Sequence, residues 1–253
     1  MKYVQIVAIE SPGGCNYTDR HPQCPSRILG RDKPAAAPMS PVIAAAIGAG
    51  LAELGFRGFY GFHWYSEPMC SLEWVEETMA GIRATVDRPM FVLWTNGALL
   101  TPETWDFAAR FDRIFISNYD GQGWAGLRER CAQTGCVLEV WQRPRLDGDR
   151  MTPPDPARKK RTECVRPYTE FAVTREGDVA PCCQAWRPSQ RLGNVLRDGL
   201  PECVRRFQAF REEARDPARQ LGPGHPCQGC VHPAVVMLRW DAGVAREAEA
   251  GFA

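Results

Sequence analysis

The feature that most constrains the fold is a regular alternation of short apolar segments with amphipathic ones over residues 3–141. The apolar segments are rich in β-branched and aromatic residues, which predicts strands. Apolar side chains in residues 72–86 recur at spacings of three and four, which predicts a helix. Such alternation is typical of a parallel sheet, wound open or closed as a barrel. The predicted strands are residues 3–9, 59–63, 90–94, 113–117 and 137–141, and the predicted helices are residues 41–54, 72–86, 101–110 and 123–134.

Residues capable of chemistry stand just after, or at the end of, four of these strands. Cys15 follows the first strand, Glu67 the second and Asn96 the third, and Ser117 ends the fourth. In parallel α/β folds, ligands bind at the carboxyl ends of the strands. We therefore expect these four residues to line one cavity.

The chain changes character beyond residue 143. Residues 144–162 are rich in Pro, Asp and Arg and are interpreted as a linker. Beyond it, residues 169–174 and the residues after Gly177 predict a β-hairpin, and a helix is predicted over residues 196–214. The predicted organisation is a barrel-like α/β domain over residues 1–143 and a small cysteine-rich α+β domain over residues 163–253.

Composition limits the compartment and the partners. A formal charge of +1 gives no electrostatic footprint for nucleic acid or acidic membranes. No apolar run approaches the roughly 20 residues that span a bilayer, and the N-terminal run is too short for a signal peptide. Eleven cysteines, an odd number, favour metal or cluster ligation in a reducing cytoplasm over a disulfide set.

Four cysteines in the second domain form a candidate metal site: Cys164, Cys182, Cys227 and Cys230. Cys227 and Cys230 are a chelating pair, because two thiolates three residues apart face one metal across a tight turn. The predicted hairpin brings Cys182 back towards Cys164. On spacing alone, a structural zinc ion and an iron–sulfur cluster are both compatible with this set.

The sequence around these cysteines resembles the C-terminal SPASM or twitch domain of radical S-adenosylmethionine (SAM) enzymes. The features that resemble it are Cys164-Val-Arg-Pro, Gly177-Asp-Val, the Cys182-Cys183 pair, Leu192-Gly-Asn-Val and the terminal Cys227-x-x-Cys230. The resemblance implies that one auxiliary [4Fe–4S] cluster is held by the four cysteines, with Cys183 a neighbour. Cys131, Cys136 and Cys203 are then expected to be buried thiols.

The segment after the first strand, Cys15-Asn-Tyr-Thr-Asp-Arg-His-Pro-Gln-Cys24-Pro, resembles the cluster motif of the same enzymes. In that family, Cys-x-x-x-Cys-x-x-Cys holds a [4Fe–4S] cluster whose fourth iron binds SAM. The third cysteine is missing here. His21, three residues before Cys24, is the first candidate for the third ligand, since His replaces Cys at some iron–sulfur irons. Cys70, after the second strand, is the rival.

Further segments resemble the SAM-binding steps of the family. Residues 62–69 are similar to its Gly-x-Gly-Glu-Pro segment, with Ser66 in place of a glycine, and imply that Glu67 accepts hydrogen bonds from the SAM amino group. Asn96 lies in a Thr-Asn-Gly step. The segment from Ser117 to Gly121 resembles a Ser-x-Asp-Gly step and implies a contact from Ser117 to the ribose or carboxylate.

The resemblance implies a radical SAM enzyme that abstracts hydrogen from a small-molecule or nucleotide-type substrate. Rearrangement (isomerisation) and dehydrogenation are both expected outcomes for this family, with flavodoxin or ferredoxin as electron donor. The missing cysteine supports an alternative of another class: a degenerate homologue that keeps only the auxiliary metal site and serves as a non-catalytic binding subunit.

Overall fold

The centre of the molecule is one eight-stranded sheet. The computed structural model describes residues 1, 4–20, 24–31, 33–142, 170–182, 185 and 190–215. The strands follow the order β5-β4-β3-β2-β1-β6-β7-β8 across the sheet. Neighbours from β5 to β6 are parallel, whereas β7 and β8 are antiparallel to their neighbours. In chain order, β1 to β8 are Ile6–Ile9, Phe59–Phe62, Met90–Thr95, Arg113–Asn118, Val137–Gln142, Glu170–Val173, Asp178–Ala180 and Gly193–Asn194.

The helices follow the strands as the alternation predicts. Ser40 caps the N-terminus of α2, where its side chain accepts a hydrogen bond from the Ile43 amide at 3.3 Å. Gly135, at φ 80°, ends α5 in the left-handed conformation that glycine favours. The described α-helices, α1 to α6, are Pro25–Ile28, Pro41–Glu53, Leu72–Thr85, Trp105–Ala108, Ala125–Thr134 and Leu200–Arg215.

Both faces of β1 to β4 and β6 are largely buried, whereas β5, at the edge of the sheet, is only partly buried. One face carries Ile9, Phe62 and Leu93 into the main core beneath the helices. The alternate residues, among them Phe59 and Phe115, form a separate apolar cluster on the inner face. Strands covered on both sides read as nearly continuous apolar runs, which is why the sequence located them well.

The C-terminal hairpin continues the same sheet. β6 pairs in parallel with β1, with Ile6 opposite Glu170, and returns through the predicted turn at Gly177, where φ is 85°. Buried Glu10, at the end of β1, accepts a hydrogen bond from the Arg31 guanidinium, which also binds Glu176 in this turn at 2.7 Å. This ion-pair network joins the end of β1 and the segment after α1 to the C-terminal hairpin.

The predicted fold class, a partial barrel-like α/β domain with a small C-terminal cysteine-rich domain, is confirmed, although several element bounds were wrong. The first strand begins at Ile6 instead of residue 3. The helix predicted from Thr101 begins at Trp105, because the Thr104 hydroxyl closes a turn with the backbone of Thr101. The last helix begins at Leu200 instead of residue 196, after the turn at Gly199. The linker and the domain bounds lie largely outside the described residues and stay predictions.

Candidate active site

Glu67 is the best-defined polar group at the carboxyl end of the barrel strands. It is 3% exposed, and both carboxylate oxygens are held by hydrogen bonds. Oε1 accepts from the Thr95 hydroxyl at 2.7 Å and the Met69 amide at 3.2 Å, and Oε2 accepts from the Asn96 amide at 2.8 Å. The Glu67 amide donates to the Gly14 carbonyl at 2.7 Å. The carboxylate is therefore fixed between β2, β3 and the loop after β1.

Burial raises the pKa of Glu67 to about 7, although three donors favour the charged form. A carboxylate has room for about four hydrogen bonds, and three are made within the chain. The Glu67 carboxylate therefore has one acceptor site left. Because burial destabilises its charged form, this site suits a cationic donor such as an ammonium group.

The other predicted SAM contacts lie at neighbouring strand ends. The Asn96 side chain donates to Asn16 at 2.8 Å, so the loop after β3 contacts the loop after β1. The buried hydroxyls of Ser66 and Ser11 are 3.1 Å apart. Ser117 is half-buried on β4. Ser66 and Asn96 therefore lie beside Glu67, whereas Ser117 lies one strand farther along the sheet, on β4.

The loop after β1 carries two of the predicted iron ligands. Cys15 is half-buried, and burial is the main reason that its pKa rises to about 12. Cys24 directly precedes α1, and its thiol lies 3.5 Å from the Ser26 hydroxyl, which donates to the Tyr65 carbonyl. His21, the predicted third ligand, lies outside the described residues.

Contacts of Tyr17 and Arg20 hold this loop against the end of β4 at the mouth of the barrel. The Tyr17 hydroxyl donates to Asp120, which follows β4, and Arg20 binds the same carboxylate at 2.6 Å. The Arg20 guanidinium also lies 4.8 Å from the centre of the Tyr17 ring. The strand ends of β1 and β4 are thereby connected over the sheet.

The inner face of the sheet holds a polar pair that sequence reasoning missed. His63 Nε2 lies 3.5 Å from Glu170 Oε1, and the His63 ring packs on Trp94 with centroids 4.3 Å apart. Glu170 Oε1 and His63 Nδ1 are buried and make no hydrogen bond. Trp64 beside them adopts φ 128°, a conformation that is strained for a bulky residue. Unpaired polar atoms inside a barrel are a mark of a ligand site.

The alternation of side chains between the two faces of a strand could have predicted this pair. His63 shares a face with Trp94, since a Cβ built on Gly61 would lie within contact distance of both side chains. Counting alternate residues along each strand would have placed His63 and Glu170 on the inner face. Their adjacency also required the pairing of β1 with β6, which is invisible without the fold.

Only one of the four predicted auxiliary-site cysteines can be located. Cys182 is buried just after β7, whereas Cys164, Cys227 and Cys230 lie outside the described residues, as does Cys183. Cys131, Cys136 and Cys203 are buried, as expected of thiols that serve packing.

The second domain matches a known family. Residues 164–231 match the SPASM family, an iron–sulfur cluster-binding domain, and this segment spans all four predicted ligands. This match identifies the C-terminal segment of the chain as an iron–sulfur cluster-binding domain.

Particular relatives extend the match to nearly the whole chain. The chain is 21% identical over 249 residues to the S-adenosyl-L-methionine-dependent 2-deoxy-scyllo-inosamine dehydrogenase of Niallia circulans, covering 92% of this chain and 95% of that protein. Its fold is similar to that of BtrN in complex with AdoMet and 2-DOIA, with a TM-score of 0.64, 21% identity and coverage of 84% and 87%. The fold of anSMEcpe with bound AdoMet is also similar, with a TM-score of 0.53, 14% identity and coverage of 83% and 84%.

Proposed function

We propose that the chain is a radical SAM dehydrogenase that oxidises a small, polar, hydroxylated molecule. The observation that carries the proposal is the Glu67 carboxylate, buried, fixed by three donors and placed beside the loop of Cys15. Coverage of a dehydrogenase relative over nearly its full length favours oxidation over rearrangement. A retained carboxylate site argues against the non-catalytic alternative, which has no use for it.

SAM fits the groups at the strand ends. Glu67 would pair with its amino group, and Ser66, Asn96 and Ser117 would line the adjacent cavity. Cys15 and Cys24 would hold the catalytic [4Fe–4S] cluster with a third ligand. When bound, SAM and this cluster supply a 5′-deoxyadenosyl radical that removes a hydrogen atom from the substrate.

The inner face of the barrel supplies the substrate site. Trp94, Phe115 and Trp141 pack in a row on this face, with centroids 4.9 and 5.1 Å apart, and His63 and Glu170 lie at the polar end of the row. There, Glu170 offers an unpaired acceptor oxygen and His63 an unpaired ring nitrogen. A substrate carrying hydroxyl groups and an ammonium group would satisfy both, because burying an unpaired carboxylate is costly.

Oxidation of an alcohol removes two electrons and two protons, and the abstracted hydrogen atom carries one of each. We infer that Cys164, Cys182, Cys227 and Cys230 would hold an auxiliary [4Fe–4S] cluster that accepts the second electron, while the hydroxyl proton is released to water. Flavodoxin or ferredoxin is the proposed electron donor to the catalytic cluster. We place the protein in the cytoplasm, since such thiol-rich sites need a reducing compartment. Among the described residues, no helix is long and apolar enough to span a membrane.

The test is anaerobic reconstitution followed by turnover with 2-deoxy-scyllo-inosamine, SAM and a chemical reductant. The proposal expects 5′-deoxyadenosine and a ketone product in equal amounts. A rearranged product of unchanged mass would contradict dehydrogenation. An absence of 5′-deoxyadenosine in protein with both clusters assembled would contradict the radical SAM assignment.

A further inference from the structure

The catalytic cluster lacks one ligand in the sequence motif. A cubane that leaves one iron open to SAM needs three protein ligands, and the loop after β1 contains only two cysteines, Cys15 and Cys24. Two thiolates would leave a second iron without a protein ligand and favour cluster loss. The third ligand must therefore come from another part of the chain or from a different residue type.

The segment of residues 65–70 is held against this loop at three points. The Glu67 amide donates to the Gly14 carbonyl, next to Cys15, at 2.7 Å. The Cys70 carbonyl oxygen lies 2.7 Å from the position that a Cβ on Gly13 would occupy. The Tyr65 carbonyl accepts from Ser26, two residues beyond Cys24. Both cysteines of the loop are thus flanked by contacts to the segment that contains Cys70.

The sulfur atoms receive hydrogen bonds from adjacent amides of one loop. The Tyr17 amide donates to Cys15 and the Asn16 amide donates to Cys70. Donors on consecutive residues place both sulfurs beside the same short stretch of backbone. Amide hydrogen bonds to thiolates are also a regular means of tuning iron–sulfur clusters.

Exposure separates these cysteines from the described cysteines that are expected to serve packing. Cys15, Cys24 and Cys70 are only partly buried, whereas Cys131, Cys136 and Cys203 are buried. The charges of Cys24 and Cys70 both act on Cys15. Cluster ligands need access to the incoming cluster and to SAM, which packing thiols do not.

Resting on the proposed function, we propose that Cys70 supplies the third thiolate of the catalytic cluster, together with Cys15 and Cys24. Within the described part of the chain, no three ligating side chains stand close enough to bind a single metal ion. The thiolate ligands of a cubane surround four irons and are farther apart than the ligands of one ion, so a single-ion arrangement is not required of these three cysteines.

The test is a count of iron in the full-length chain after anaerobic reconstitution. Wild type should hold about eight irons, two cubanes, and Cys70→Ala about four. Cys227→Ala should also hold about four, and the double variant almost none. Cys203→Ala, which removes a buried thiol from α6, is the matched control and should match wild type.

A second readout separates ligand loss from misfolding. In Cys227→Ala, SAM should change the EPR signal of the reduced catalytic cluster. In Cys70→Ala, this SAM-sensitive signal should be absent. Cys70→Ser, nearly isosteric, should keep the fold by circular dichroism and still lose the SAM-sensitive signal or change its g-values.

The outcomes distinguish failure of the Cys70 assignment from failure of the proposed function. Full iron and an unchanged EPR signal in Cys70→Ala would overturn the Cys70 assignment, and loss in His21→Ala instead would transfer the role to His21. If Cys227→Ala bound no iron at all, the catalytic cluster itself would be absent, and the proposed function would fail together with Cys70.

Discussion

Glu67→Gln gives the sharpest local prediction, because it changes charge and hydrogen bonding with almost no change in shape. Gln keeps one acceptor oxygen, which can still bind Thr95 and Met69. Its NH2 group then faces the Asn96 amide, so two donors meet where a 2.8 Å hydrogen bond stood. The variant also loses the negative charge proposed to pair with the SAM ammonium group.

The magnitude follows from these two losses. A hydrogen bond to a charged group contributes about 1.5–3 kcal/mol, so the dissociation constant for SAM should rise about 10- to 150-fold. Separately, the unpaired Asn96 amide should lower the free energy of unfolding by about 1–3 kcal/mol.

Anaerobic calorimetric titration of SAM into reconstituted protein measures the first effect and urea unfolding the second. Glu77→Gln, at an exposed position on α3, is the control and should change neither. Equal SAM affinity in wild type and Glu67→Gln would refute the placement of the amino group at this carboxylate.

Two further substitutions probe the barrel interior and the buried ion pair between Arg31 and Glu10. Glu170→Gln should raise KM for the proposed hydroxylated substrate about tenfold by weakening one charged hydrogen bond, with SAM affinity unchanged. An unchanged KM would show that this carboxylate does not bind the substrate. Arg31→Ala leaves Glu10 buried without its cation and should cost about 3–5 kcal/mol in urea unfolding, whereas exposed Arg27→Ala should cost under about 0.5 kcal/mol. Similar unfolding midpoints for the two arginine variants would contradict that energetic role.

Much of the fold was accessible from sequence because the strands are buried on both faces. Continuous apolar runs such as residues 90–95 locate a strand without any tertiary information. Short elements were missed because they contain too few residues to give a pattern. The four-residue helix Pro25–Ile28 and the 3-10 turn Pro68–Ser71 are too short to show a periodicity, and packing around the site determines them.

The placement of Glu67 and Asn96 at the strand ends was predictable, because each follows one strand. The site was not predictable where residues distant in sequence meet. Glu170 reaches the inner face beside His63 only through the pairing of β6 with β1. Likewise, the interval of three residues favoured His21 as an iron ligand, whereas the contacts of Gly13 and Asn16 with Cys70 exist only in the folded chain.

Radical chemistry at the strand ends is the central claim, and formation of 5′-deoxyadenosine measures it most directly. Reconstituted wild-type protein should cleave SAM reductively to 5′-deoxyadenosine and methionine, and Glu67→Gln at subsaturating SAM should do so at least about tenfold more slowly. Protein that carries about eight irons, binds SAM and yet forms no 5′-deoxyadenosine under reducing conditions would contradict the account.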